Sequence, residues 1–183
     1  MDSVPEFEKA DVLARRCGFT YSAAMDISAL EFLQEVRDMC NGKQCDRYDT
    51  SWSCPPACPS LEQLRSRVSG YDAGLLVQTV GDIEDSFDWE GMMTAGARHK
   101  ANFGQMWDEL EKIYPSVFAM GAGACMLCEK CTYPHAPCRN PERMSASMEA
   151  CGLYVSKVCA DNNLKYNYGP GKIAFTSCFL LQL

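Results

Sequence analysis

Ala73-Gly-Leu-Leu-Val-Gln-Thr-Val80 is an apolar run of strand length, the pattern of a strand buried within a sheet. Towards the C-terminus, a long helix is expected from about Trp89 to Tyr114. Phe103, Met106, Trp107, Leu110 and Ile113 recur there at helical spacing on one face, and Pro115 stops it. Val117 to Met120 reads as a second short strand, turned by Gly121-Ala-Gly123 into a run of cysteines. Towards the N-terminus, a short helix is expected over residues 6–16, ended by Gly18, followed by a strand from Phe19 to Met25. Leu30, Leu33, Val36 and Met39 have the helical period and deliver the chain to Cys40. Residues 41–59 are loop by composition, and Ser60 is a suitable N-cap for a helix reaching about Val68. Beyond Cys138, a helix is expected from Tyr154 to Asn162. A hairpin is expected to join Tyr166–Tyr168 to Lys172–Leu181 across Gly169-Pro-Gly171. The sum is an α+β class: one domain over residues 1–183, with a small mixed sheet and helices packed on one side. Two cysteine-rich loops, at 40–58 and 125–138, interrupt it. Each half runs helix, strand, cysteine loop, helix, which suggests a duplication without a visible repeat.

The downstream loop carries the clearest chemistry. Cys125-x2-Cys128-x2-Cys131 sets three thiols at equal spacing, and Cys138 follows after six intervening residues with Pro141 close behind. Such a run wraps three thiolates around one side of a compact object, as three corners of an iron–sulfur cube are held, with the fourth ligand further along the chain. A tetrahedral zinc ion is more often held by two separated cysteine pairs, so the run argues for iron–sulfur over zinc. Upstream, Cys40-x4-Cys45-x8-Cys54-x3-Cys58 offers four more thiols at irregular spacing. One or two 4Fe–4S clusters are the expected cofactor, with zinc as the alternative. The remaining Cys17, Cys151, Cys159 and Cys178 lie in apolar elements, where cysteine serves as a small hydrophobe.

A cube with two ferric and two ferrous irons and four thiolates is anionic, about −2, and needs donors around it. Gly121 and Gly123 could let backbone N–H groups approach the sulfurs; a plain tight turn explains the same residues. Lys130, Arg139 and Arg143 bring cations close in sequence, and solvation is their ordinary state. Trp52 could shield a cluster or pack its loop, and Tyr48 and Tyr133 are read alike. His135 could be a ligand or a donor to one, or an exposed loop residue. His99 is expected at the helix surface. Two histidines leave almost no material for a Ser–His–Asp hydrolase or a multi-histidine metal site. Gly121-Ala-Gly123 lacks the third glycine of a dinucleotide fingerprint, and no phosphate-binding loop occurs.

At 183 residues the chain is long enough for a hydrophobic core and needs no disulfides to stay folded. The N-terminal stretch lacks a basic region followed by an apolar run, and no segment has the length of a membrane span. A reducing, cytoplasmic compartment is therefore expected, where twelve cysteines read as metal ligands instead of disulfides. A net charge of −7 without any Lys/Arg cluster argues against nucleic acid and anionic membrane as partners. The acidic surface also suits a redox protein steered towards a basic partner protein.

Cys45-x2-Tyr48-x3-Trp52-x-Cys54-Pro55-Pro56, the downstream run from Gly123 to Cys138, and Ser147-Met-Glu-Ala-x-Gly152 together resemble a domain-of-unknown-function family of predicted metal-binding proteins. Its members are common in anaerobic bacteria and archaea. The resemblance spans most of the chain from about Cys40 to the C-terminal strand, and it implies metal binding in a cytoplasmic, oxygen-avoiding setting without implying a reaction. It supports Cys125, Cys128, Cys131 and Cys138, and Cys40, Cys45 and Cys54 match the pattern too. Without Cys58 the upstream site would hold three cysteines and an open fourth position, where substrates or corrinoids could be engaged. Three functions follow as expectations: an iron–sulfur protein passing electrons to or from a partner enzyme, a zinc-stabilised interaction module, and a redox enzyme with an open-corner cluster.

Overall fold

The computed structural model describes residues 3–183, with side chains from Glu8 onward. Met1 and Asp2, part of the stretch read for an export signal, lie outside the described residues. Four strands form one sheet: β1 (Tyr21–Met25), β2 (Ala73–Asp82), β3 (Ser116–Met120) and β4 (Lys172–Gln182). Their order is β1-β2-β4-β3, and each neighbouring pair is antiparallel. The α+β class is as expected, but the strand pairing is antiparallel throughout where a mixed sheet was anticipated. A parallel contact is confined to an isolated bridge, Gly121 to Ser147, beyond the end of β3. β2 and β3 run the same way but are separated by β4, so the helix joining them spans a split crossover.

The central pair sets the core. β2 registers against β4 along its whole length, Ala73 opposite Leu181 and Asp82 opposite Lys172. Alternation along each strand then divides the side chains between two faces. Leu75, Val77, Ala119, Phe179 and Leu181 pack with Ala10, Leu13 and Ala14 of α1 (Ser3–Arg16) and with Met106, Trp107 and Leu110 of α4 (Trp89–Leu110). Leu76, Phe118, Met120, Cys178 and Leu180 pack with Leu61, Leu64 and Val68 of α3 (Leu61–Val68), with α5 (Val155–Asp161), and with the segment from Ala146 to Leu153. Helices therefore cover both faces, not one. A strand with both sides apolar, as Ala73–Val80 is, needs cover on both sides. Burying each of Phe179 and Leu180 contributes about 1.5–3 kcal/mol relative to exposure.

Local signals place the helix starts. Ser60 and Gln63 form a reciprocal capping box at α3: Ser60 Oγ accepts the Gln63 N–H at 3.1 Å, and Gln63 Oε1 accepts the Ser60 N–H at 2.8 Å. Asp88 caps α4 by accepting the Gly91 N–H at 2.8 Å. α4 ends at Leu110, so Ile113, expected on its apolar face, sits in a following turn and is exposed. The helix expected over Leu30–Met39 shrinks to α2 (Gln34–Asp38), because the Leu33 N–H is drawn away to the Gly152 carbonyl at 2.8 Å.

Two further expectations are corrected. Tyr166–Tyr168 is not a strand. It folds back onto the sheet, where the Tyr168 hydroxyl donates to Gln78 Oε1 at 2.8 Å and its ring stacks on Tyr21. β4 pairs with β2 and β3 instead. His99 is buried at 1% exposure, between Thr79 Oγ1 at 3.0 Å and Ser177 Oγ at 2.7 Å. Those two hydroxyls from adjacent strands satisfy both ring nitrogens, which makes a buried neutral imidazole tolerable on the helix face turned to the sheet. Burial and the nearby Lys100 cation hold its pKa down at about 4.

Candidate metal centre

The upstream loop winds through successive turns. Each candidate ligand donates its own N–H to a backbone carbonyl: Cys40 to Arg37, Cys45 to Asn41, Cys54 to Ser51 and Cys58 to Cys54. These turns bring Cys45, Cys54 and Cys58 within electrostatic reach of Cys40. Burial pushes the Cys40 thiol up to about 11, and Cys45, Glu149, Cys54 and Cys58 add to the rise. Burial also raises Cys58, against the pull of the Arg37 cation. Arg37 anchors the loop to the core, donating Nε to the Ala150 carbonyl at 2.8 Å and Nη2 to the Pro59 carbonyl at 2.7 Å.

The downstream loop is built differently. From Ala122 to Thr132, every backbone N–H except that of Cys125 lacks an acceptor among the described residues. The side-chain amide of Asn140 reaches Cys128 Sγ at 3.5 Å, and Arg139 donates to the Lys130 carbonyl at 2.8 Å, closing the loop on itself. The Lys130 side chain makes no ion pair among the described residues. Arg143 turns away, paired with Asp108 and Glu111 and lying over the Trp107 ring. His135 is exposed. Of the two roles open to Gly121, the turn is the one its bonding fits: its N–H is committed to the Ala146 carbonyl at 2.9 Å. Gly123 has a positive φ of 75° and open space around it, the conformation of an N–H nest.

The two loops lie against each other. Ser53, at 1% exposure, accepts the Cys125 N–H at 3.0 Å and lies 4.0 Å from Cys54 Sγ. Trp52 donates Nε1–H to the Ala136 carbonyl at 3.0 Å and meets the Tyr133 ring edge-on, while Tyr133 donates its hydroxyl to the Asp49 carboxylate. Trp52 thus fastens one cysteine loop to the other. Cys58 and Cys138 line one crevice together with Trp52 and His135. Nothing local in sequence marks Ser53 or Asn140 as members of this assembly; both are placed by contacts across loops.

The Ser147–Gly152 motif is the strut behind the upstream loop. Ser147 Oγ accepts the Ala150 N–H, and the Ala150 carbonyl accepts from Arg37 and lies 3.8 Å from Cys58 Sγ. Gly152, at φ 81°, has no room for a Cβ, which would meet the Leu33 carbonyl at 2.8 Å.

Among the described residues, no three Cys, His, Asp or Glu side chains converge closely enough to hold a single metal ion. A mononuclear zinc site would need its sulfurs about 2.3 Å from one point. The donors available on the two loops are cysteine sulfurs, the type that soft metals prefer.

The family model for predicted metal-binding proteins (domain of unknown function 2284) matches residues 23–181. The chain belongs to this family. Both cysteine loops and the Ser147–Gly152 strut fall inside the family region. Neither the curated proteins nor the solved structures offer a match to the chain. The four cysteines outside the loops are buried free thiols. Burial raises all four, Cys178 to about 12, so they remain protonated core residues. No helix among the described residues is long and apolar enough to cross a membrane.

Proposed function

We propose that this metal-binding protein carries iron–sulfur clusters of the 4Fe–4S type and exchanges electrons with a partner protein. Cys125, Cys128, Cys131 and Cys138 would hold one cluster; Cys40, Cys45, Cys54 and Cys58 would hold the other. The observation that carries the reading is the run of unpartnered N–H groups around the three evenly spaced downstream thiols. Sulfide and thiolate are diffuse anions, and N–H donors around them lower the cost of burial and raise the reduction potential. Asn140 supplies a side-chain donor to Cys128. A bound cluster would supply one-electron chemistry. Contact between the loops through Ser53 and Trp52 would keep two centres close enough for relay, and the net charge of −7 favours a basic partner.

Structural zinc in the upstream loop is the second reading. There each cysteine N–H is already spent on a turn, which suits a closed site that only holds the chain in place. Anaerobic purification followed by iron, zinc and acid-labile sulfide analysis separates the two. Brown protein with broad absorption near 400 nm and about four iron and four sulfide per site is expected, with an electron paramagnetic resonance signal on reduction. Colourless protein holding stoichiometric zinc and no sulfide would overturn the proposal.

A further inference from the structure

A cavity of about 280 Å³ lies between α4 and the segment from Gly121 to Leu127. It shares Lys100, Ala122, Gly123 and Met126 with a wider chamber of about 510 Å³ that runs on past Met92 and Met93. The inner chamber is lined almost entirely by hydrogen-bond donors and apolar walls.

Trp107, 3% exposed, lines it and holds the buried side-chain polar atom without a partner among the described residues, Nε1. A buried indole N–H left unpaired costs about 1–3 kcal/mol. Lys100 borders both chambers and pairs with no carboxylate among the described residues. Ala122, Gly123 and Ala124 line the same space, and their N–H groups have no acceptor among the described residues, around the positive φ of Gly123. No Asp or Glu lines the inner chamber; Glu149 borders the outer one. Arg143 contributes a wall and not a free charge, since Asp108 and Glu111 neutralise it. Phe103 and Met126 supply apolar surface.

Donors with no acceptors call for an acceptor-rich, negatively charged ligand. The aromatic and methionine walls call for an apolar body, and the volume restricts it to something below drug size. We infer that the inner chamber binds a small organic acid, its carboxylate taken by Lys100 and the Ala122–Ala124 N–H groups and its apolar body set against Phe103 and Trp107. A phosphate nest reads the charge alone; this chamber reads the charge and the body together. Cys125 also lines the chamber, so the ligand would sit beside the downstream cysteines. The inference does not depend on which metal those cysteines hold.

The test is isothermal titration of the metal-loaded protein with benzoate, with the neutral isostere benzamide, and with inorganic phosphate. Benzoate is expected to bind saturably and about tenfold or more tighter than either control. K100M, at an exposed position that leaves the core intact, should weaken benzoate about tenfold and leave benzamide unchanged; W107F should weaken it several-fold, while K112M, which lines neither chamber, should not. Metal and sulfide content measured on each variant separates loss of this chamber from loss of the metal centre. Absence of saturable benzoate binding, equal binding of benzamide or phosphate, or full binding by K100M would each overturn the inference.

Discussion

The hydroxyl of Ser53 accepts the backbone N–H of Cys125 at 3.0 Å across 72 residues of chain. Each residue belongs to a different cysteine loop, so this part-buried hydrogen bond, together with that from Trp52 to the Ala136 carbonyl, ties the two candidate metal centres together. Ser51 lies 3.0 Å from Ser53 and shares its burial, extending the link into the upstream turn.

Ser53→Ala removes that acceptor and strands the Cys125 N–H beside Cys54. A loss of about 1–3 kcal/mol in stability is expected. Metal content of the downstream site should fall before that of the upstream site. Thermal unfolding read alongside metal analysis checks it, and unchanged values in both would remove the coupling.

Cys128→Ser and Cys178→Ala should behave oppositely. The first should abolish metal at the downstream loop, with little effect on the upstream one. The second should keep full metal content and cost about 1 kcal/mol through lost packing at a fully buried position. Elemental analysis with denaturant titration distinguishes them. Equal metal loss in both variants would show that the division into ligand and core cysteines is mistaken.

Gly152→Ala should be among the most damaging single changes outside the cysteines. Its φ of 81° disfavours any side chain, and a Cβ would collide with the Leu33 carbonyl and with Leu61. A penalty of about 2 kcal/mol or more is expected from conformational strain and lost packing together. The same change at Gly123, where nothing stands within 4 Å, should cost only the strain of its positive φ. Chemical denaturation of both variants tests the contrast.

His99 makes folding pH-dependent. Its pKa is held at about 4 in the folded chain against an ordinary value near 6.5, so the unfolded chain takes up a proton that the folded chain refuses. The stabilisation is complete above the unfolded value. It declines by up to about 1.4 kcal/mol per pH unit as pH falls from there to the folded value, and levels off below. His99→Gln should flatten that segment of the stability curve relative to the unaltered protein. Identical slopes would show that the imidazole is not held neutral.

Much of the protein is legible without coordinates because its signals are local. The Ala73–Val80 run announces a strand buried within the sheet, Ser60 announces a helix start, and the spacing of Cys125, Cys128 and Cys131 marks the loop as a candidate for soft-metal binding. Those depend on neighbours a few residues apart. Tertiary contact decided the rest. β4 inserted between β2 and β3 and removed the anticipated hairpin. The Gly152 carbonyl took the Leu33 N–H and shortened α2, and two strand hydroxyls made a buried place for His99. Ser53 and Trp52 joined the cysteine loops, and Trp107 was left with a donor facing no acceptor among the described residues. Each of these is set by partners that the fold brings from far along the chain, and hydrogen-bond satisfaction at such distances has no period or spacing in the sequence to reveal it.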